Sequence, residues 1–440
     1  MVSIENEDTL ASTRGRETAL ACVRAGIDAA RPGHVVTESV RLDGDRLHVA
    51  DATYDLTGVD RIVAVGGGKA ADGVADALET VLGDRLSAGA VVTPEPSEGK
   101  RIERLQGDHP VPSQAGVDGT ERIHDLVADA DERTLVIAII TGGGSALLPA
   151  PADGISLDDL QTTTDALLDA GAEIGALNAV RKHLSTLKGG GLADLASPAT
   201  VVSLAFSDVV GNDLSVIASG PTAPDESTYA EALEVLERYG VDPPAAVRER
   251  LEAGAAGDLP ETPGPDDPVF DRVTNHVLAD GFTAIEAARE VAADRGYDTC
   301  VLSSSVRGEA REAALTHVAV AEEVGATGNP ISGPAVVLSG GEATVTVRGD
   351  GEGGPNAEFA LAAAIELPED ATLACVDTDG RDGSSDFAGA VVDSDTVEDA
   401  KAARAALDSS DAYGYLDGHS IISTGATGTN VNDLRVLVVE

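Results

Sequence analysis

The sequence predicts an α/β protein: a Rossmann-like, doubly wound N-terminal domain followed by a smaller α/β C-terminal domain. Three observations predict it. Apolar runs of four to seven residues recur along the chain, each closed by a glycine-rich turn and followed by a helical pattern, which is the grammar of parallel βα units. Hydrophobic residues make up 42% of the chain but aromatics only 2%, with no Trp, so the core must be Ala, Val, Leu and Ile. Such a core suits sheets sandwiched by Ala-rich helices. Finally, 440 residues exceed one ordinary core and imply two domains.

Taken in order, residues 35–49 read as a short hairpin turning at Asp43-Gly44-Asp45. A strand at 61–65 runs into Gly66-Gly67-Gly68-Lys69 and a helix to about residue 81. Further strands are expected at 90–93, 134–141, 199–205, 273–278, 299–303, 335–338 and 371–376. The Pro-, Gly- and Asp-rich stretch at 256–268 breaks the periodicity, so it is expected to link a domain at 1–255 to one at 269–440.

The formal net charge of −46 comes from 76 acidic against 30 basic residues, and only five of the latter are Lys. The acids are scattered rather than gathered in a tail, which predicts a cytoplasmic enzyme adapted to high salt, where a Debye length of about 3 Å screens self-repulsion. No basic patch is available for nucleic acid, and no partner membrane is expected. Cys22, Cys300 and Cys375 are far apart and set among apolar residues, as small core residues are. The N-terminus lacks the basic start and apolar run of a signal peptide. A homodimer is the expected assembly.

In open α/β sheets ligands gather where strands end, so the strand-to-loop junctions carry the candidate chemistry. Gly66, Gly67 and Gly68 could present backbone amides to a phosphate at the start of a helix, with Lys69 adding a full charge. The same residues match a dinucleotide fingerprint, with Glu95 placed to meet a ribose. Gly142, Gly143, Gly144 and Ser145 repeat the strand-turn-helix grammar. Residues 177–193 concentrate Asn178, Arg181, Lys182, His183 and Lys188 in an otherwise acidic chain, which suggests an anion site for phosphate or a substrate carboxylate. Asp208 and Asp213 lie on a long aperiodic loop and could hold Mg²⁺, which needs only one or two carboxylates beside phosphate oxygens. Residues 377–383, Asp-Thr-Asp-Gly-Arg-Asp-Gly, cluster carboxylates where a strand ends, suited to a metal or a general base.

Taken together, GGGKAA at Gly66, GDHPVP at Gly107, TGGGSALL at Thr141, NAVRKHLSTLKGGGLA at Asn178, SDVVGNDLSVIASGPT at Ser207, LSGGEATV at Leu338, DTDGRDG at Asp377 and TGATGTNVNDL at Thr424 resemble the class II glycerate 2-kinases with a C-terminal MOFRL domain. The resemblance implies an active site in an interdomain cleft and transfer of the ATP γ-phosphoryl group, with Mg²⁺, to the 2-hydroxyl of D-glycerate. It implies Lys69 as the active-site lysine, and Asn356 and Glu358 as part of a nucleotide-binding motif. The family's usual arginine in that motif is replaced here by Pro355, and its usual acid by Asn212, so Arg181, Lys182 or Arg381 must supply positive charge. Lys69, Arg181 and Asp379 are the expected catalytic residues. An NAD(P)-dependent hydroxypyruvate reductase and a non-catalytic sugar-acid binding protein are the competing readings.

Overall fold

The computed structural model describes residues 1–416 and 418–440, and the chain forms two compact units. The first comprises residues 35–278. It opens with a small antiparallel sheet of β1 (Val40–Asp43), β2 (Arg46–Val49) and β3 (Ala52–Asp55). The expected hairpin is therefore present but starts later, because Pro32–Ser39 is helical.

The main sheet of this unit contains β4 (Arg61–Gly67), β5 (Ala88–Thr93), β6 (Ile102–Gln106), β7 (Thr134–Thr141), β8 (Thr200–Phe206) and β9 (Val273–Ala279) in the order β6-β5-β4-β7-β8-β9. The β6 to β8 portion is wholly parallel. This is a doubly wound order, and its direction reverses between β4 and β7. All eight residues of β7 are buried, as are the six from Ile62 to Gly67 in β4, which explains their continuous apolar runs. The helices Ala71–Leu82 and Gln114–Val127 cover the sheet, the latter through Ile123 and Val127 against Val63, Ala90 and Val136. A second core joins the helices Leu157–Asp169, Ile174–His183, Tyr229–Tyr239 and Ala245–Ala255 through Leu167, Val180, Tyr229, Val235 and Leu251.

The second unit comprises residues 1–34 and 279–440. Its sheet contains β10 (Asp298–Glu309), β11 (Ala335–Thr344), β12 (Ala371–Asp377), β13 (Gly389–Asp393), β14 (Ile421–Ile422) and β15 (Asp433–Val439), ordered β10-β11-β15-β12-β13-β14. Here the expectation of parallel βα units holds in part: β10, β11 and β12 point the same way, but only β10 and β11 pair in parallel, because the C-terminal β15 inserts antiparallel between β11 and β12.

The boundary also differs from the one expected at 256–268. That stretch is tied into its own unit: Tyr229 N donates to Glu261 Oε2 at 3.1 Å and Thr262 Oγ1 to Asp225 Oδ2 at 2.9 Å. The N-terminal residues pack with the C-terminal ones. The helix Arg14–Ala29 buries Leu20, Val23 and Ile27, Gly26 meets the Leu434 side chain, and Arg16 Nε bonds Asp393 Oδ2 at 2.5 Å. Cys22 and Cys375 are buried core residues and Cys300 is half-buried; burial pushes the Cys22 thiol up to about 12, so it stays protonated. No helix among the described residues is long and apolar enough to cross a membrane.

Candidate active site

The two glycine loops expected to carry chemistry leave β4 and β7, the adjacent strands at which the sheet order reverses. They are bonded to each other. Lys69 N donates to Gly142 O at 2.8 Å and Ala70 N to Thr141 Oγ1 at 3.2 Å, while Gly68 N donates to Val92 O at 3.0 Å. These amides therefore brace the first loop rather than pointing outward at an anion, which corrects the expectation for residues 66–68. Glycine is required there for a different reason. Gly66 (φ 143°) and Gly68 (φ 130°) lie so close to Ile139 O and Thr141 Oγ1 that a Cβ would overlap them.

The open backbone belongs to the second loop. Among the described residues the amides of Gly143, Gly144 and Ser145 have no protein acceptor, and Gly143 (φ 79°) opens the helical turn Gly144–Leu147. Side chains converge on this loop. A Cβ on Gly143 would lie 3.1 Å from both Lys69 Cγ and His109 Cδ2, and one on Gly142 would overlap the Asp208 carboxylate. Glycines at these positions thus let a lysine, a histidine and an aspartate approach one backbone turn.

A buried polar chain continues from it. Ser145 Oγ and Ser219 Oγ are 2.8 Å apart, and Ser219 Oγ donates to Asn178 Oδ1 at 3.0 Å, leaving the buried Asn178 Nδ2 without a protein acceptor. Ala218 (φ 51°) and Ser219 (φ 63°) are both left-handed and both buried. Strain of about 1–3 kcal/mol per residue is a feature of functional turns.

One helical turn beyond Asn178 stands Arg181, half-buried and with no carboxylate in ion-pair distance among the described residues. Burial alone holds its guanidinium below the ordinary arginine range. Its neighbour Lys182 does not join it: Lys182 Nζ donates to Asp225 Oδ1 at 3.0 Å inside the protein, so its charge is already spent. Lys182 is therefore a structural ion pair and not the nucleotide ligand expected. His183 is likewise engaged, by Ala179 O at 2.6 Å and Glu261 Oε2 at 3.2 Å. Lys188 is buried and donates to Leu148 O; burial first, and the Arg181 charge second, push its ammonium down to about 7.

Of the two metal candidates, Asp208 lies against the second loop, while Asp213 is exposed and closes an Asx turn, accepting from Ser215 N at 2.9 Å. No cluster of three metal-ligating side chains occurs among the described residues. Of the two, Asp208 fits Mg²⁺, as a carboxylate against Gly142 in the loop whose next amides are open; Asp213 does not.

A family model described as a domain of unknown function (DUF4147) matches residues 18–252, and the MOFRL family matches 335–433. The D-glycerate 2-kinase of Thermotoga maritima is 37% identical over 96% of this chain and 97% of its own. The chain belongs to the glycerate 2-kinase family. A crystal structure of glycerate kinase from T. maritima superposes with a TM-score of 0.85 at 36% identity, covering 96% of this chain and 99% of that one. A protein of Agrobacterium vitis named a putative hydroxypyruvate reductase is 39% identical over 86% of this chain and 99% of its own.

The family's C-terminal motifs occupy the second unit. Asn356 and Glu358, expected to bind nucleotide, are interior instead: Asn356 Nδ2 donates to Asp433 Oδ1 at 2.7 Å, and Glu358 Oε1 accepts from Arg311 Nε at 2.7 Å. They lie on the helix Pro355–Ala364, which is buried from Asn356 onward, and Pro355 at its first turn costs no hydrogen bond there. Asp379 is half-buried and accepts from Arg381 N at 2.8 Å, while Arg381 is exposed. His109 was not among the expected site residues: it lies in the GDHPVP motif, which has neither a run of glycines nor a cluster of charges.

Proposed function

We propose that this member of the glycerate 2-kinase family transfers the γ-phosphoryl group of ATP to the 2-hydroxyl of D-glycerate. The observation that carries this reading is the convergence of Lys69 and His109 on Gly143 and of Asp208 on Gly142, in the loop whose amides at Gly143, Gly144 and Ser145 are open, at the reversal of the sheet order. Phosphoryl transfer asks a protein chiefly to position two reactants and to neutralise the oxygens of the moving group. Amides at a helical turn and the Lys69 ammonium supply that neutralisation, beside the polar chain of Ser145, Ser219 and Asn178.

Asp208 would hold Mg²⁺, which when bound draws charge from the phosphate oxygens. Arg181, with no carboxylate in ion-pair distance among the described residues, binds the substrate anion. The surface charge suits work at molar salt in a cytoplasm, and a homodimer is the proposed assembly. Incubation with D-glycerate, ATP and Mg²⁺ in concentrated KCl should release ADP, and the phosphorus NMR spectrum of the product should show phosphate on the 2-oxygen. Oxidation of NADH by hydroxypyruvate without ADP release would instead make the chain a reductase, as the name of the A. vitis relative suggests.

A further inference from the structure

The basic residues at and just beyond the C-terminal end of the helix Ile174–His183 are not equivalent, and their inequality points to a ligand. In a chain with 76 acidic residues, cations near the surface readily find carboxylates. Lys182 has Asp225, and His183 has Glu261. Arg181 and Lys188 have none among the described residues.

Lys188 is the more costly of the two. It is 4% exposed and its ammonium donates to one main-chain carbonyl, that of Leu148. A buried ammonium with a single neutral acceptor carries most of its desolvation cost uncompensated. The elements packed around it offer no acid. The turn Gly144–Leu147 holds no titratable side chain, nor does the 217–221 turn, whose carbonyls of Ser219 and Gly220 accept from Gly189 N (3.0 Å) and Gly190 N (2.7 Å). Of the charged groups on the flanking segments, Arg181 repels it, while Lys182, Asp225, His183 and Glu261 are paired with one another. Asp194, on the helix that follows, is exposed.

We propose that Arg181 receives the carboxylate of the hydroxy-acid substrate, and that Lys188, buried within its field, gains a proton from solvent when that carboxylate arrives. This rests on the glycerate kinase reading and names the half of the site that binds the acid. The placement favours the acid over the nucleotide. Lys188 is bonded at the C-terminal end of the turn Gly144–Leu147, whereas the open amides of Gly143 to Ser145 are at its N-terminal end. Four residues at 1.5 Å each separate the two ends by roughly 6 Å, enough to keep a small hydroxy acid apart from the phosphate. The buried Asn178 Nδ2, lacking an acceptor, stands one turn before Arg181 on the same helix. Arg181 thus contacts substrate, and Lys188, held on Leu148 O, acts on the bound acid through its charge.

The sign follows from the burial. Empty, the site favours neutral Lys188, whose ammonium lies at about 7 rather than 10.5; a bound carboxylate restores the charged form. Titration calorimetry of D-glycerate into the full chain, in buffers of different ionisation enthalpy, should show uptake approaching one proton between about pH 7.5 and 9, fading below about pH 6. Lys188→Met should abolish the uptake and raise KM for glycerate about tenfold, leaving KM for ATP within about threefold. Lys188→Arg, charged at every pH, should restore affinity without proton uptake, which a merely space-filling lysine would not predict. Buffer-independent binding of glycerate by the unaltered chain would overturn the proposal. So would proton uptake that accompanies ADP rather than glycerate, or an unchanged KM for glycerate in a folded Lys188→Met protein. Should that variant not fold, the comparison of the unaltered chain with Lys188→Arg decides alone. Absence of any glycerate-dependent ADP release would instead sink the kinase reading and leave the proton measurement standing.

Discussion

Arg181 and Lys182 are neighbours in sequence and do opposite work, because one helical step turns one toward an acid-free region and the other onto buried Asp225. Removing Lys182 therefore tests stability and not catalysis. Lys182→Met leaves a buried carboxylate without its cation, and such breaks cost about 3–5 kcal/mol. Its denaturation midpoint in urea at fixed salt should drop accordingly, with kcat retained wherever the protein is folded. Lys69 should behave the other way. Its side chain lies over Gly143 beside His109, so Lys69→Ala is expected to lower kcat by about 10²- to 10³-fold with thermal unfolding unchanged. A variant with full turnover would remove Lys69 from the site. Which cation was structural could not be read in the sequence, since Arg181, Lys182 and Lys188 all carry positive charge there and only their distant partners tell them apart.

Among the elements, the parallel strands were legible because burial on both faces leaves an uninterrupted apolar run, as in residues 134–141. β15 was missed although it is wholly buried, since a terminal strand has no turn and helix after it to complete a βα signature. Asn356 and Glu358 were expected in a nucleotide-binding motif; the composition of their helix, Phe359, Leu361 and a run of Ala, is that of a helix hydrophobic on all sides. Its N-terminus rests on Asp382, whose oxygens accept from Asn356 N and Ala357 N, each at 2.8 Å, and from Tyr413 at 3.0 Å. Burial nonetheless raises the Asp382 carboxyl from 3.8 to about 6. A raised folded value means that this group favours the fold fully below about pH 4, and that the contribution is lost as pH rises through about 6. Asp382→Asn should then remove part of the pH dependence of unfolding between about pH 4 and 7, in the direction of a more positive slope. Identical slopes for the two proteins would show that folding leaves the titration of this carboxyl unchanged.

At the scale of the molecule, the charge of −46 dominates. Several exposed Arg residues do meet acids, as in Arg133 with Asp60 and Arg122 with Glu103, but acids outnumber bases too heavily to be balanced this way. Such surface pairs contribute little, about 0–1 kcal/mol each. Self-repulsion should therefore set the salt response: scanning calorimetry from about 0.2 to 3 M KCl should show Tm rising as the Debye length shrinks. A Tm that falls or stays flat would contradict adaptation to high salt.

The sequence by itself determined the α/β class, the two glycine loops and the scarcity of cations, because apolar periodicity, glycine and charge are local properties that survive without coordinates. Only the tertiary structure decided three further matters. It assigned residues 1–34 to the C-terminal unit, braced the first glycine loop with its own amides while leaving the second open, and gave Lys182 an acid but, among the described residues, Arg181 and Lys188 none. Each of these depends on which distant residue fills a hydrogen bond or covers an apolar face, and chain order does not encode that choice locally.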